Sequence, residues 1–291
     1  MVLEDLVTPS AMEKKPARMF YVGFIYATVG LLLAYWVFGS YSSLSSVFIT
    51  AMPLVVIMYN VLRLEERKDE EFCMYEQCGR PLKRSFLIKE HGYAVSLFMF
   101  LFIGMVAAYS LWCTILPENI VVGLFSSQIE TIKSINVSIV GNAINPGNAL
   151  SDILYNNFKV LMFCIIFSFL YGSGAIFILT WNASIIGVAV GSIIRNSLLN
   201  YAHLDKFAFF YNYLSSFSIS FSFAIHGIPE IAAYFIGSLG GGIISVAVVN
   251  HKLNSPEFKS IVIDSLDLIL LSAAILLLAG ITEVYITPAL M

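Results

Sequence analysis

The feature that most constrains this chain is the separation of its charged residues from its long apolar stretches. Asp, Glu, Lys and Arg make up only 12% of the 291 residues, whereas 58% are hydrophobic; a soluble domain carries about a quarter charged residues. Several uncharged windows reach the ~20 residues that a helix needs to cross the ~30 Å hydrocarbon core. These runs are continuous and do not alternate in the ten-residue segments of a transmembrane β-barrel. The sequence therefore predicts an all-α, polytopic integral membrane protein.

The apolar windows predict a helical bundle of six full spans plus a re-entrant or broken-helix element. The re-entrant element is residues 185–199, a short glycine-containing stretch that carries Arg195. An aromatic and serine-rich helix follows, and the run His226–Pro229 then interrupts the apolar sequence. The predicted helical segments outside 185–199 are 19–38, 44–62, 93–116, 158–181 and 261–285, together with 207–225 and 230–249, which the interruption at 226–229 separates.

This pattern divides the chain into three parts. Residues 1–62 hold the N-terminus and an extra transmembrane hairpin, residues 63–91 form a charged loop, and residues 92–291 form the main membrane domain. The last part contains a polar loop, 117–157, which we expect to be an ordered cap. Residues 134–144 alternate in polarity within it and predict a short strand or hairpin.

The Lys and Arg distribution predicts the orientation, because basic residues near span ends favour the cytoplasm. The charged loop 63–91 holds seven Lys or Arg, whereas the loop 117–157 holds only Lys133. We therefore expect a plasma-membrane protein with a cytoplasmic N-terminus and with 117–157 outside. The N-terminal segment lacks the apolar core of a removable signal peptide, so the first span is expected to direct insertion.

The basic residues of the last third also favour the cytoplasm, and this preference is what suggests the re-entrant element. If 185–199 enters and returns, Arg195, Lys252 and Lys259 all lie inside. A full crossing by 185–199 would instead place Lys252 and Lys259 outside. Both topologies remain open, and we favour the re-entrant one.

The cysteines and the overall charge argue against two classes of function. Cys73 and Cys78 form a C-x4-C pair with His91 further along, but zinc needs a fourth ligand and usually tighter spacing. Free thiols are therefore expected there, and Cys113 and Cys164 are expected to be small buried hydrophobes. We predict no metal and no cofactor. A pI near 5.8 and the absence of a basic stripe argue against nucleic-acid binding.

Glu230 is the clearest ionisable residue inside an apolar run, where a charge costs ~2.5–3.5 kcal/mol even on lenient scales. His226 lies four residues earlier, so on a helix both side chains share one face. Pro229 favours a helix start, which would put Glu230 in the first turn, where the helix dipole stabilises a carboxylate. Three interpretations remain: a structural pair at a helix break, a substrate or ion site, and a metal or hydrolytic site.

Four asparagines add candidate sites. Asn156 and Asn157 precede the predicted fourth span and Asn182 ends it, so they either cap the span at the interface or line the same polar site as Glu230. Asn136 begins the sequon Asn-Val-Ser in the polar loop and is a weak candidate for glycosylation.

Two pairs of glycines have the small-xxx-small spacing that lets helix backbones approach closely in lipid. The pairs are Gly187 with Gly191 and Gly237 with Gly241. They predict tight packing within the chain or between copies, so a homo-oligomer remains open.

Two stretches together resemble the stage II sporulation protein M family. They are residues 156–191, which hold the Asn-Asn pair, a Gly-containing span and a glycine-spaced helix, and residues 226–242, HGIPEIAAYFIGSLGGG. The most specific element is His226-Gly227 with Glu230. In that family the best-understood members belong to a membrane complex that supports cell-wall remodelling during engulfment. The hairpin 19–62 precedes the similar region, so the sporulation role itself is not carried over.

What the resemblance implies is a non-enzymatic membrane component that works with partners. We therefore expect a scaffold or partner-binding subunit of the cell envelope, embedded in membrane lipid and contacting a protein through residues 117–157. The alternative is a transporter or channel with a midplane site around His226 and Glu230. The third hypothesis is an intramembrane enzyme.

Overall fold

The protein is a bundle of α-helices. The computed structural model describes residues 15–75, 84–142, 146–201, 224–250 and 255–286. Within these residues all regular secondary structure is helical, which confirms the predicted class. The helices are α1 (Arg18–Phe38), α2 (Ser42–Tyr75), α3 (Arg84–Ile115), α4 (Glu118–Leu124), α5 (Ser126–Asn142), α6 (Pro146–Tyr171), α7 (Ala175–Tyr201), α8 (Ala224–Asn250) and α9 (Pro256–Ile281). A π-helical turn, Thr282–Ile286, follows α9.

Seven of these helices are long and apolar enough to cross a membrane, which confirms a polytopic bundle. They are α1, α2, α3, α6, α7, α8 and α9. Helix α4 has only seven residues, and α5 is shorter and more polar than the spans. These two helices occupy the polar loop that was predicted to form a cap.

The stretch predicted to re-enter the membrane is instead part of a full-length helix. Helix α6 ends at Tyr171, and α7 runs without interruption for 27 residues through the whole of 185–199. The turn between them is made by Gly172, whose φ of +66° is a conformation that glycine adopts at little cost. This turn could not be recognised within the apolar window 158–181, because its Gly-Ser-Gly sequence contains no charged residue. Among the described residues, seven helices long and apolar enough to span a membrane therefore stand where six spans and a re-entrant element were predicted.

Contacts between helix ends define the two ends of the bundle. At one end, Glu65 Oε2 of α2 lies 2.8 Å from His91 Nδ1 of α3, and Asn250 of α8 donates to Glu66. We call this the base end. At the other, the cap end, Arg195 of α7 donates to two carbonyl oxygens near the end of α3.

This arrangement corrects the predicted side of Arg195. Arg195 lies at the cap end with Leu116. Its guanidinium donates to carbonyl oxygens near the end of α3, where the helix supplies no further N–H donors. Helix α7 therefore ends, and α8 begins, at the cap end. Since α8 then returns to the base end, Lys259 in the first turns of α9 lies at the same end as the charged loop. Lys259 and the charged loop therefore lie at the same end of the bundle even if α7 crosses the membrane completely.

Close backbone contacts at glycines hold the spans together. Cβ atoms added at Gly187 and Gly191 of α7 would lie 2.6 Å from Tyr109 Cβ and 2.7 Å from the Ser110 carbonyl oxygen of α3. Gly237 and Gly241 of α8 lie against Leu161 and Ile165 of α6 in the same manner. At these positions a side chain would push the helix axes apart.

The N-terminal hairpin packs into the same bundle as the rest of the chain. Gly23 of α1 lies against the Leu101 carbonyl of α3, and Trp112 Nε1 donates to Thr28 at 3.2 Å. Helix α2 continues past residue 62 to Tyr75, so the charged segment begins as an extension of a span.

Replacing Arg195 with Gln is expected to lower the free energy of unfolding by ~1–3 kcal/mol, because it leaves carbonyl groups at the end of α3 without their donors. Thermal unfolding in one detergent measures this change. Lys159→Gln, at an exposed position on α6, is the matched control. Equal melting temperatures for the two variants would show that Arg195 does not secure this helix end.

Candidate functional site

Helix α8 carries Glu230 into the bundle near the cap end. The helix begins at Ala224 and continues through Pro229, so the predicted break at His226–Pro229 lies inside its first turns. Proline is tolerated near a helix start, where the first N–H groups have no intrahelical partner. Glu230 therefore lies in the second turn, not the first, and it is near one end of the bundle, not at its middle.

Glu230 is linked to a tyrosine and to a second carboxylate. Tyr234 Oη donates a 2.7 Å hydrogen bond to Glu230 Oε1, as residues four apart on a helix can. Glu283, in the π turn after α9, lies close enough for its charge to act on both residues. Tyr234 is only 1% exposed, whereas both carboxylates are half-buried.

Asn157 lies on the face of α6 that packs against α8 and α9. Its neighbours Leu154 and Leu161 on the same helix face lie against Gly280 of α9 and Gly237 of α8. Leu161 lies against Gly237. Asn157 and Ala233 each lie one helical turn nearer the cap end than these two residues, so Asn157 is level with Ala233, the neighbour of Tyr234 in sequence. Asn157 is 5% exposed, and its Nδ2 has no hydrogen-bond partner among the described residues. We call Asn157, Glu230, Tyr234 and Glu283 the cap-end cluster.

The other predicted site residues lie apart from this cluster or outside the described side chains. Asn156 is exposed on α6, and Asn182 Nδ2 donates at 2.9 Å to the Ile178 carbonyl of its own helix. The side chain of His226 lies outside the described residues. Of the five polar candidates, the structure brings together Glu230 and Asn157.

Sequence reasoning missed Tyr234 and Glu283. Tyr234 carried a usable signal, because it follows Glu230 by four residues on a helix. Glu283 lies near the end of the final predicted window, 261–285, where an ionisable residue also needs a partner. Nothing local links Glu283 to α8, however, because the contact depends on how α9 packs.

Helices α4 and α5 of the polar loop form a cap that is attached to the spans by Gln128 of α5. This side chain is 0% exposed. Its Oε1 accepts a 2.7 Å hydrogen bond from Ser43 Oγ of α2, and its Nε2 donates to Ser184 Oγ of α7 at 3.2 Å. The Ser127 backbone N–H donates to the same Ser43 oxygen at 3.1 Å. One buried amide thus links the cap to two spanning helices.

The cap is helical, so the strand predicted at residues 134–144 is wrong. Helix α5 continues to Asn142. Buried positions recur from Phe125, the residue just before α5, to Gln128 and the half-buried Ile132 within it, at the spacing of three and four residues typical of an amphipathic helix. The alternation in polarity beyond Ser134 was too short to distinguish the two-residue period of a strand from the 3.6-residue period of a helix. Asn136 lies on α5, and its side chain is outside the described residues.

A third polar group lies at the base end, and the sequence did not reveal it. Glu65 Oε1 accepts from Lys68 Nζ at 2.6 Å, and its Oε2 lies 2.8 Å from His91 Nδ1. Glu65 and His91 are each about as buried as the apolar core. In the sequence, His91 stands out only as a zinc ligand for the pair Cys73 and Cys78. Cys78 and the Cys73 side chain lie outside the described residues.

Comparison with known proteins identifies one family. The family profile described as Stage II sporulation protein M matches residues 94–288, which include both the cap and the cap-end cluster. Helices α1 and α2 lie outside the matched residues. No curated protein and no solved structure matches the chain.

Proposed function

Because the chain belongs to the stage II sporulation protein M family, we propose that it is a non-enzymatic, partner-binding subunit of the cell envelope and that its cap is the binding surface. The observation that carries this proposal is the attachment of the cap through Gln128. A buried amide is costly unless its hydrogen bonds are made, and here both ends of the amide are bonded to spanning helices.

A cap fixed in this way suits protein binding. Its buried side is anchored by Gln128 and Phe125, so α4 and α5 are already ordered before any partner arrives. A preordered surface avoids the entropic cost of ordering a loop on binding.

The outward side of the cap has a composition that suits an interface. Val122 of α4 is 56% exposed, Glu118 is exposed on the same helix, and Glu130 and Lys133 are exposed on α5. An apolar position among acidic groups suits a partner that presents a basic surface, because complementary charge steers association.

We expect the cap to face the outside of a plasma membrane, with the N-terminus in the cytoplasm. In a cysteine-free background, Glu130→Cys on the cap should react with a membrane-impermeant maleimide in intact cells. Arg67→Cys, at an exposed position near the base end, should react only after permeabilisation. The reverse pattern would contradict this orientation, since the two residues lie at opposite ends of the bundle.

Site-specific photo-crosslinking tests the proposed function. A photoreactive residue at Val122 should give one discrete protein adduct in native membranes, because this position lies on the proposed interface. The control is the same residue at Leu32, an exposed apolar position on α1 that suits lipid. Adducts of equal yield at both positions, or none at Val122, would contradict partner binding through the cap.

A second function, transport, is favoured by one observation. Two carboxylates and a buried tyrosine lie inside the bundle among spanning helices, where polar groups often mark a substrate path. These groups lie near the cap end, so a transport site would open from that end. Uptake into liposomes that is lost in Glu230→Gln but retained in Glu130→Gln would support transport.

A further inference from the structure

We infer that the exposed side of α2 binds one anionic phospholipid, whose headgroup lies at the base end. The residues that carry this inference are Tyr59, Arg63 and Arg67, which we call the arginine site. The site is at the opposite end of the bundle from the cap, so the inference does not depend on partner binding by the cap.

The exposed side of α2 is apolar along the span and becomes basic at the base end. Its exposed apolar residues follow one another at intervals of four, in the order Phe48, Met52 and Val56. Tyr59, Arg63 and Arg67 continue the same helix face at intervals of three and four residues, and all three are exposed. In a spanning helix this apolar row contacts acyl chains, so the arginines lie next to the lipid that the row contacts.

The length of the span puts Arg63 at the level of the headgroups. At roughly 1.5 Å per residue, Arg63 lies about 30 Å along α2 from Ser42, the first residue of the helix. The hydrocarbon core is about 30 Å thick. Because Ser43 is bonded to Gln128 at the cap end, the start of α2 lies at one membrane interface and Arg63 at the other, where lipid phosphates are found.

The two arginines form no ion pair with a carboxylate among the described residues. The neighbouring acids on α2, Glu65 and Glu66, are 1% and 2% exposed, and their carboxylates are bonded to other side chains. Arg63 and Arg67 are exposed on the side that the apolar row occupies. Within the described part of the chain their positive charge is therefore available to an external anion.

Tyr59 holds the guanidinium of Arg63 in place. Arg63 Cζ lies 5.7 Å from the centre of the Tyr59 ring, within the ~6 Å range of a cation–π contact. The ring lies against the turn between α6 and α7, since a Cβ added at Gly172 would be 3.5 Å from Tyr59 Cδ2. A guanidinium held in this way can donate two parallel N–H bonds to phosphate oxygens and loses little freedom on binding.

One lipid molecule fits both parts of this surface. Its phosphate contacts the arginines while an acyl chain lies along the apolar row, which a soluble phosphate compound would leave uncovered. A net negative headgroup suits the site better than a zwitterionic one, because the ammonium of a zwitterionic lipid offsets the charge of its own phosphate.

Thermal unfolding of the full chain in a neutral detergent tests the inference. Added phosphatidylglycerol is expected to raise the melting temperature in a saturable way. Phosphatidylcholine should bind at least about fivefold more weakly, and glycerol phosphate, which has no acyl chain, should give no rise at the same concentrations. Equal stabilisation by the two lipids, or by phosphatidylglycerol and glycerol phosphate, would overturn the inference.

Variants locate the effect at the arginine site. Arg63→Gln should weaken phosphatidylglycerol binding by about five- to tenfold. Tyr59→Leu, which keeps an apolar side chain but removes the ring, should weaken it by about two- to fivefold. Without lipid, both variants should melt close to the parent chain, because these side chains are exposed. If Arg63→Gln fails to fold, Arg67→Gln provides the second test, with the same direction expected.

Arg18→Gln is the matched control for Arg63→Gln. Arg18 is exposed at the start of α1, which is also at the base end, and the change in charge is the same. Helix α1 packs on a different side of α2, since Gly30 lies against Ser46 and Thr50. Phosphatidylglycerol binding should therefore be unchanged in Arg18→Gln. An equal loss in Arg18→Gln and Arg63→Gln would show general charge attraction in place of a site, and unchanged binding in Arg63→Gln would equally overturn the inference.

Discussion

Replacing Gly241 with Ala is expected to lower the free energy of unfolding by about 2–3 kcal/mol. The added Cβ would lie 2.7 Å from the Ile165 carbonyl oxygen and 3.4 Å from Ile165 Cα. These are backbone atoms, which cannot rotate away, so α6 and α8 would have to separate along a contact that spans several turns.

Gly123→Ala is the matched control for Gly241→Ala. A Cβ at Gly123 in α4 meets nothing within 4 Å. Alanine has the higher helix propensity, so this change should be neutral or stabilising by up to ~1 kcal/mol. Thermal unfolding of both variants in one detergent should therefore give shifts of opposite sign. Shifts of the same sign and size would show that the α6–α8 contact is looser than described.

Separate Leu replacements of Glu65 and His91 are each expected to cost ~3–5 kcal/mol, because each leaves a buried polar partner without its contact. The double variant should cost clearly less than the sum of the single variants, because neither Glu65 nor His91 is then left buried without the other. Unfolding by a denaturing detergent measures all three. Arg67→Leu, on the same helix but exposed, is the control and should change stability by less than ~0.5 kcal/mol.

Additive costs for Glu65 and His91 would show that the two residues do not form one unit. The prediction also separates two roles for this group. If Glu65 and His91 serve only to hold α2 against α3, the double variant should recover partner crosslinking together with stability. If stability recovers while crosslinking from Val122 stays lost, the base end would have a further role.

The positions of several spans were predictable because they depend on local apolar length alone. Helix α1 and the membrane portions of α3 and α9 lie within a few residues of the predicted windows. A membrane imposes this length independently of tertiary contacts. The same reasoning failed at Gly172, because a turn without charge does not interrupt an apolar window.

The candidate site was only partly predictable for a different reason. Glu230 was evident because a carboxylate in an apolar run has few explanations. Its partner Glu283 lies on another helix, and only the packing of α9 on α8 brings the two together. Gln128 gave no sequence signal, since one amide in a polar loop is unremarkable until its burial is known.

The hairpin that precedes the family-matched region has a structural role in the cap. Ser43 of α2 donates to Gln128 and accepts from the Ser127 backbone, although α2 lies outside residues 94–288. The cap is therefore anchored from one helix inside the matched region and one outside it. We expect the hairpin to hold the cap surface in its described position.

The most direct test of the central proposal is partner capture by a charge-reversed cap. Glu118→Lys combined with Glu130→Lys alters only exposed positions, so the melting temperature should stay unchanged. Crosslinking of the partner from Val122 should fall by about tenfold, because a basic partner surface would now be repelled. Capture at the original yield, from a variant that folds normally, would contradict binding through the cap.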